Sequence, residues 1–271
     1  MKKVQDTALV LSFAAILAGA SLFALAKTDL GDVSTGWTNG AYQRGYETRF
    51  DRSVPGQMLA VNAWSALRWG TLREAASGVV VGREGWLFTA EEFREPVETH
   101  DLREQLIRTA DSLAKKNIAL VPIIVPDKAR MHANLLPRPR SPGFEQRYDR
   151  ALQTIKAAGL PTVDLRQALN FDVSFMRQDT HWSPEGAHSA AEAIAAAISD
   201  DRETVAVTTT SLGFEAFDGD LLSYVNTGLF RPLVGPRTEQ IEKFKTIVES
   251  GGGLFGDAPA PIALVGTSYS A

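Results

Sequence analysis

The chain contains no cysteine in 271 residues. That absence removes disulfides, thiolate nucleophiles, zinc ribbons and iron–sulfur clusters together. Histidine is scarce, with four copies, so the choice of an imidazole general base is narrow. Neither sign of charge dominates: 32 acidic against 28 basic side chains leave a net charge of −4, and nothing global recommends nucleic acid as a partner. Internal repeats are lacking, and the only low-complexity tract is Gly251-Gly252-Gly253. What remains is ordinary globular composition, 44% hydrophobic and 22% charged, which excludes a disordered, collagenous or coiled-coil chain.

One local absence is informative. From Ala8 to Ala26 there is no charged residue. As a helix these nineteen residues span about 28 Å, close to the ~30 Å of a bilayer core, and apolar side chains fall on every face. Residues 1–26 therefore read as a signal-anchor or signal peptide. Ala24-Leu25-Ala26 would serve as a cleavage site, yet the run exceeds a signal core of about 7–15 residues, which favours an uncleaved anchor. Lys2 and Lys3 hold the N-terminus in the cytoplasm and send everything after Lys27 to the periplasm.

Residues 27–77 form a membrane-proximal lead-in with one helical stretch, Met58 to Leu72. Gly78 to Phe88 alternates β-formers around a glycine-flanked turn and predicts a hairpin that opens the main domain, 78–271. Leu102, Leu106, Ala110 and Leu113 recur at helical spacing. Ile118 to Val125 reads as a buried strand despite Pro122, Gly143 to Ala158 as a helix stopped by Gly159, and Pro161 to Asp164 as a short strand. Ser183-Pro184-Glu185 opens a helix with an N-cap serine, proline at its first position and an acid in its first turn, and alanines carry it to about Ser199. Val205 to Thr209 is β-rich, and Pro261 to Val265 is an apolar run of strand length. This alternation argues for an α/β domain around a largely parallel sheet.

Two segments carry reactive side chains where an α/β fold exposes them. In an extended Gln178-Asp179-Thr180-His181, residues i and i+2 point the same way about 6.6 Å apart, so the Asp179 carboxylate can reach one imidazole nitrogen and fix the tautomer. The helix beginning at Pro184 disfavours the imidazolium while the carboxylate favours it, which poises His181 as a base. The second segment, Leu264-Val265-Gly266-Thr267-Ser268-Tyr269-Ser270, runs an apolar stretch into a small-residue turn that would present Ser268 as an acyl-transfer nucleophile, with Ser270 as competitor. A metal reading would use Asp179, His181 and His188, but no further His or Cys cluster completes it. Between residues 128 and 150 six cations (Lys128, Arg130, Arg138, Arg140, Arg147 and Arg150) face two acids, a surface for an acidic polymer or a solvated loop. Trp86 reads as a sugar platform or as core, and Asp220 as an acid without a role.

Gly82-Arg83-Glu84-Gly85-Trp86-Leu87-Phe88, Val125-Pro126-Asp127-Lys128, Asp179-Thr180-His181-Trp182 and Gly266-Thr267-Ser268-Tyr269-Ser270, in this order, resemble the alginate O-acetyltransferase family with an SGNH-hydrolase-like domain. The resemblance implies a flavodoxin-like, largely parallel sheet with flanking helices and a periplasmic enzyme that moves acetyl groups onto an exopolysaccharide. It implies a catalytic triad of Ser268, His181 and Asp179, no cofactor, and a membrane-bound O-acyltransferase as the source of acetyl. It also implies further structure after Ala271. A carbohydrate acetylesterase and a non-catalytic polysaccharide-binding or assembly protein are the rival readings.

Overall fold

A computed structural model describes residues 2–34, 36–95, 97, 101–198, 207–248 and 262–266. The chain divides into two compact units, residues 1–70 with 226–235, and residues 71–225 with 236–271.

The first unit is helical. α1 (Lys2–Lys27) exposes Val10, Phe13, Ile16 and Leu22, and its Val10–Lys27 stretch is long and apolar enough to cross a bilayer. α2 (Ala41–Ser53) carries an aromatic column: Tyr42, Tyr46 and Phe50 stack with successive centroids 6.4 Å apart, the four-residue spacing that brings side chains together on a helix, and Trp37, from the chain before α2, stacks on Tyr42 at 4.3 Å. Arg49 ties α2 to the chain before it by donating to the carbonyls of Asp29 and Leu30, each at 2.8 Å. α3 (Gln57–Leu67) buries Asn62 and Ala66, then widens into a π-helical turn that buries Trp69. The lead-in thus contains two helices where the sequence suggested one. α9 (Arg231–Val234) belongs to this unit as well.

The second unit opens with the expected hairpin. β1 (Val79–Val81) and β2 (Leu87–Thr89) pair antiparallel around a turn in which Glu84 and Gly85 both have positive φ. α4 (Leu102–Ala114) is capped by Asp101, whose carboxylate accepts from the N–H of Glu104. The 118–125 segment is extended but makes only one bridge, Ile124 to Asp164, and that bridge is parallel. Tyr148 reinforces it, donating to the Ile124 carbonyl and accepting from the Leu165 N–H, each at 3.3 Å. The helix expected over 143–158 forms as two pieces, α6 (Pro142–Glu145) and α7 (Arg147–Ala157), after the short α5 (Lys128–Met131). α8 (Pro184–Ile198) begins as expected, with Ser183 Oγ accepting from the Gly186 N–H at 2.9 Å. The core gathers Trp86, Phe88, Leu165, Leu169, Phe175 and Ala190.

The described ladders do not show the expected parallel sheet. Among the described residues both ladders are antiparallel: β1 with β2, and β3 (Val207–Phe217) with β4 (Glu239–Val248). β3 begins in the β-rich 205–209 segment but runs on as a solvent-facing ribbon paired with β4, its register broken between Ser211 and Gly213. The 262–266 segment forms no ladder and lies exposed, Val265 by 91%.

Candidate active site

The Asp-x-His segment sits in a tight loop. Phe175 and Trp182 form an antiparallel bridge at its neck, the Ser183 N–H donates to the Ser174 carbonyl at 3.0 Å, and the Met176 N–H to the His181 carbonyl at 3.2 Å. α8 follows at once, so the core holds both ends of the loop. Gly186, in the first turn of α8, is required by this closeness: a Cβ there would lie 2.0 Å from the Ser174 carbonyl oxygen.

Asp179 and His181 meet as the spacing predicts. The Asp179 Oδ1 to His181 Nδ1 distance is 2.6 Å, and the same oxygen accepts the His181 N–H at 2.9 Å. The carboxylate is buried while the imidazole keeps 29% of its surface, so the acid is dry and the base faces outward. Burial pushes the Asp179 carboxyl up, but the N–H groups of Asp220 and His181 and the imidazole itself outweigh it and hold the acid below the ordinary carboxylate range. Anionic Asp179 selects the tautomer with its proton on Nδ1, which makes Nε2 the basic atom.

Asp220, without a role in the sequence, completes this loop from forty residues away. Its N–H donates to Asp179 Oδ2 at 2.8 Å, and its carboxylate accepts the Thr180 N–H at 2.9 Å and the Thr180 hydroxyl at 2.6 Å. Gly219 permits the approach, since a Cβ would stand 2.1 Å from the Gln178 carbonyl oxygen. Glu239, at the start of β4, accepts the N–H groups of Arg177 at 2.7 Å and Gln178 at 3.2 Å. Spacing along the chain carries no signal for either acid. Asp179, His181 and Asp220 also place three ligand atoms within 4.8 Å, a set able to hold a cation, whereas His188 is elsewhere, exposed and paired with Glu192 at 3.3 Å.

The basic segment is divided: Lys128 and Arg140 are buried, Arg130 is half-buried, and Arg138, Arg147 and Arg150 are exposed. Lys128 is 2% exposed, and its ammonium donates to the carbonyls of Leu87, Arg177 and Asp179 at 2.6, 2.9 and 2.9 Å, with the Trp86 and Phe88 rings beside it. Burial pulls its pKa down to about 7, against the opposing pull of Glu92, Glu239, Asp179 and Asp220. Arg140 has no exposed side-chain surface; it pairs with Asp127 and, at 2.7 Å, with Glu145, and Arg130 joins the same two acids at 3.1 and 3.4 Å. Trp86 is buried against His132, 4.2 Å between ring centres. Burial leaves Lys128, Arg140 and Trp86 no surface for a polymer, whereas Arg138, over the Phe93 ring, and Arg147, over Phe144, remain exposed. Ser268 and Ser270 lie outside the described residues.

A dry carboxylate thus orients an outward histidine, on a loop that leads straight into a helix, a geometry able to accept and return a proton. Residues 79–271 match the family model described as SGNH hydrolase-like domain, acetyltransferase AlgX, and the chain belongs to that family. It is 35% identical over 260 residues to the probable alginate O-acetylase AlgJ of Pseudomonas aeruginosa, covering 86% of this chain and 66% of that protein. The Azotobacter vinelandii protein of the same description is 32% identical over 253 residues, covering 86% and 65%. The chain thus spans just under two thirds of these curated relatives. Among solved structures it resembles the O-acetyltransferase domain of Pseudomonas putida AlgJ, with a TM-score of 0.55 and 28% identity over 64% of this chain and 66% of that one, which supports an SGNH-hydrolase-like fold.

Proposed function

We propose that the chain is a periplasmic O-acetyltransferase that places acetyl groups on an alginate-like exopolysaccharide through an acyl-serine intermediate. The observation that carries this reading is the 2.6 Å Asp179–His181 contact, in a chain similar along most of its length to probable alginate O-acetylases. Ser268 is the nucleophile and His181 Nε2 takes its proton as Ser268 Oγ attacks the acetyl carbonyl. The donor's leaving group departs with that proton, and the acetyl rests on Ser268. A sugar hydroxyl then attacks the ester, giving its proton to His181, and Ser268 Oγ leaves with a proton returned by the imidazolium. Asp179 keeps the imidazole oriented and stabilises its cation in both halves.

Residues 78–271 form the acetyltransferase domain. The parallel bridge between Ile124 and Asp164 supports a sheet that is largely parallel. α1 holds the protein in the inner membrane, where a membrane-bound O-acyltransferase delivers acetyl to the periplasmic side. Arg138, Arg147 and Arg150 are the cations of the basic segment left to meet a polyuronate.

Acetyl transfer from a chromogenic acetate ester to defined oligouronates tests the reading. Acetylated oligouronate should form in proportion to ester consumed. Ester consumption with acetate as the only product identifies an esterase, and an inert chain that still binds the polymer identifies a binding protein.

A further inference from the structure

The buried ammonium of Lys128 contacts the loop that carries Asp179 and His181, and it touches no substrate-accessible surface. Its three N–H groups meet three carbonyls, two of which, on Arg177 and Asp179, bracket that loop. The third, on Leu87, belongs to β2, one of the core strands of the unit. α5 supplies the ammonium: Asp127 caps this helix by accepting the Arg130 N–H, and is itself held by Arg130 and Arg140. The far sides of the loop are gripped by Glu239 through the N–H groups of Arg177 and Gln178, and by Asp220 through Thr180. Carbonyls 177 and 179 point to the cation and N–H groups 177, 178 and 180 to the two acids, so the loop's backbone polarity is sorted between opposite charges. Acids Glu92, Glu239, Asp179 and Asp220 surround the ammonium and favour its charged form, while His132 lies close enough to feel its charge.

We propose that Lys128 is a positioning residue: its ammonium fixes the Asp179 backbone, and through it the line from carboxylate to imidazole, without touching substrate. An apolar side chain of equal length would fill the same space between Trp86 and Phe88 but take the ammonium from the Leu87 and Asp179 carbonyls and leave the Arg177 carbonyl with the Leu87 N–H, 3.0 Å away, as its remaining donor. The loop would then relax, and a displacement of about 1 Å at a reacting group is enough to cost roughly 10²-fold in rate. The catalytic consequence rests on the acyl-serine reading above; the structural one does not.

The test uses the full chain in lipid nanodiscs, in Lys128→Met and Lys128→Arg forms, with two readouts. With four histidines in the sequence, histidine-selective ¹⁵N labelling gives few imidazole signals, and His181→Gln identifies the downfield Nδ1–H proton bonded to Asp179. Lys128→Met should keep the circular-dichroism spectrum yet lose or broaden that signal, and lower kcat for a small acetate ester about 100-fold with KM within about twofold. Lys128→Arg, which keeps donors for the carbonyls, should recover the signal and part of the rate. A folded Lys128→Met with the signal and kcat of the parent overturns the proposal. If Lys128→Met does not fold, a folded Lys128→Arg that lacks the signal overturns it equally. A parent protein that shows the signal and loses it in Lys128→Met, but has no turnover, sustains the positioning role and refutes the acyl-serine reading instead.

Discussion

At the residue scale, charge and burial decide what each polar group does. Asp179 is buried and anionic because N–H donors offset its desolvation, whereas His132 is buried and neutral because the pull of Asp172 is too weak to offset burial and the charge of Lys128. His132 is tilted against Trp86, meets the Phe175 ring edge-on, and lies 3.3 Å from the Ser174 hydroxyl. Burial, then the positive charge of Lys128, pull its pKa down to about 4, against a weaker opposing effect of Asp172. The folded value lies below the ordinary 6.5, so the unfolded chain takes up the proton first as pH falls. Stability is therefore complete above pH 6.5 and is lost as pH drops toward 4, by about 2–3 kcal/mol from this group at pH 4.5. Denaturant unfolding at pH 7 and pH 4.5 measures it: the acid loss should be smaller by about that amount in His132→Gln. Equal losses in the two proteins would show that His132 does not govern the acid limb.

At the element scale, local chemistry was legible in the sequence and distant pairing was not. Ser183 as cap, Pro184 as first helical residue, the Gly82–Trp86 turn and the Asp179–His181 pairing all depend on neighbours within a few residues, and each forms as the sequence implied. Asp220 and Glu239 escaped because they reach the loop from 40 and about 60 residues away, by a closeness that only Gly219 and the start of β4 create. The signal that existed was Gly219-Asp220 itself, a glycine beside an acid of no evident use. The basic run from Lys128 to Arg150 misled in another way: counting charges along the chain cannot show that Asp127 and Glu145 fold inward to neutralise Arg130 and Arg140. Strand direction was likewise invisible, because a Val-rich or Ile-rich run suits either partner orientation. The 118–125 run kept its extended form with a single parallel bridge, and β3 and β4 chose each other.

At the scale of the whole molecule, an apolar N-terminal helix precedes a domain whose family is that of SGNH hydrolase-like acetyltransferases. Under the proposed function, that order would hold the enzyme beside the membrane through which acetyl is supplied. Fractionation of cells expressing a C-terminally tagged chain should leave the tag in the inner membrane, accessible to protease from the periplasm. A soluble periplasmic product starting at Lys27 would instead mean that α1 is removed. The central claim is the acyl-serine. Its most direct test is to incubate the protein with a chromogenic acetate ester, quench in acid and map the acetylated peptide by mass spectrometry. Acetyl should be found on Ser268 in the parent, accumulate when the acceptor is withheld, and vanish in Ser268→Ala while surviving in Ser270→Ala. Acetyl on Ser270, or turnover with neither serine acetylated, would contradict the account.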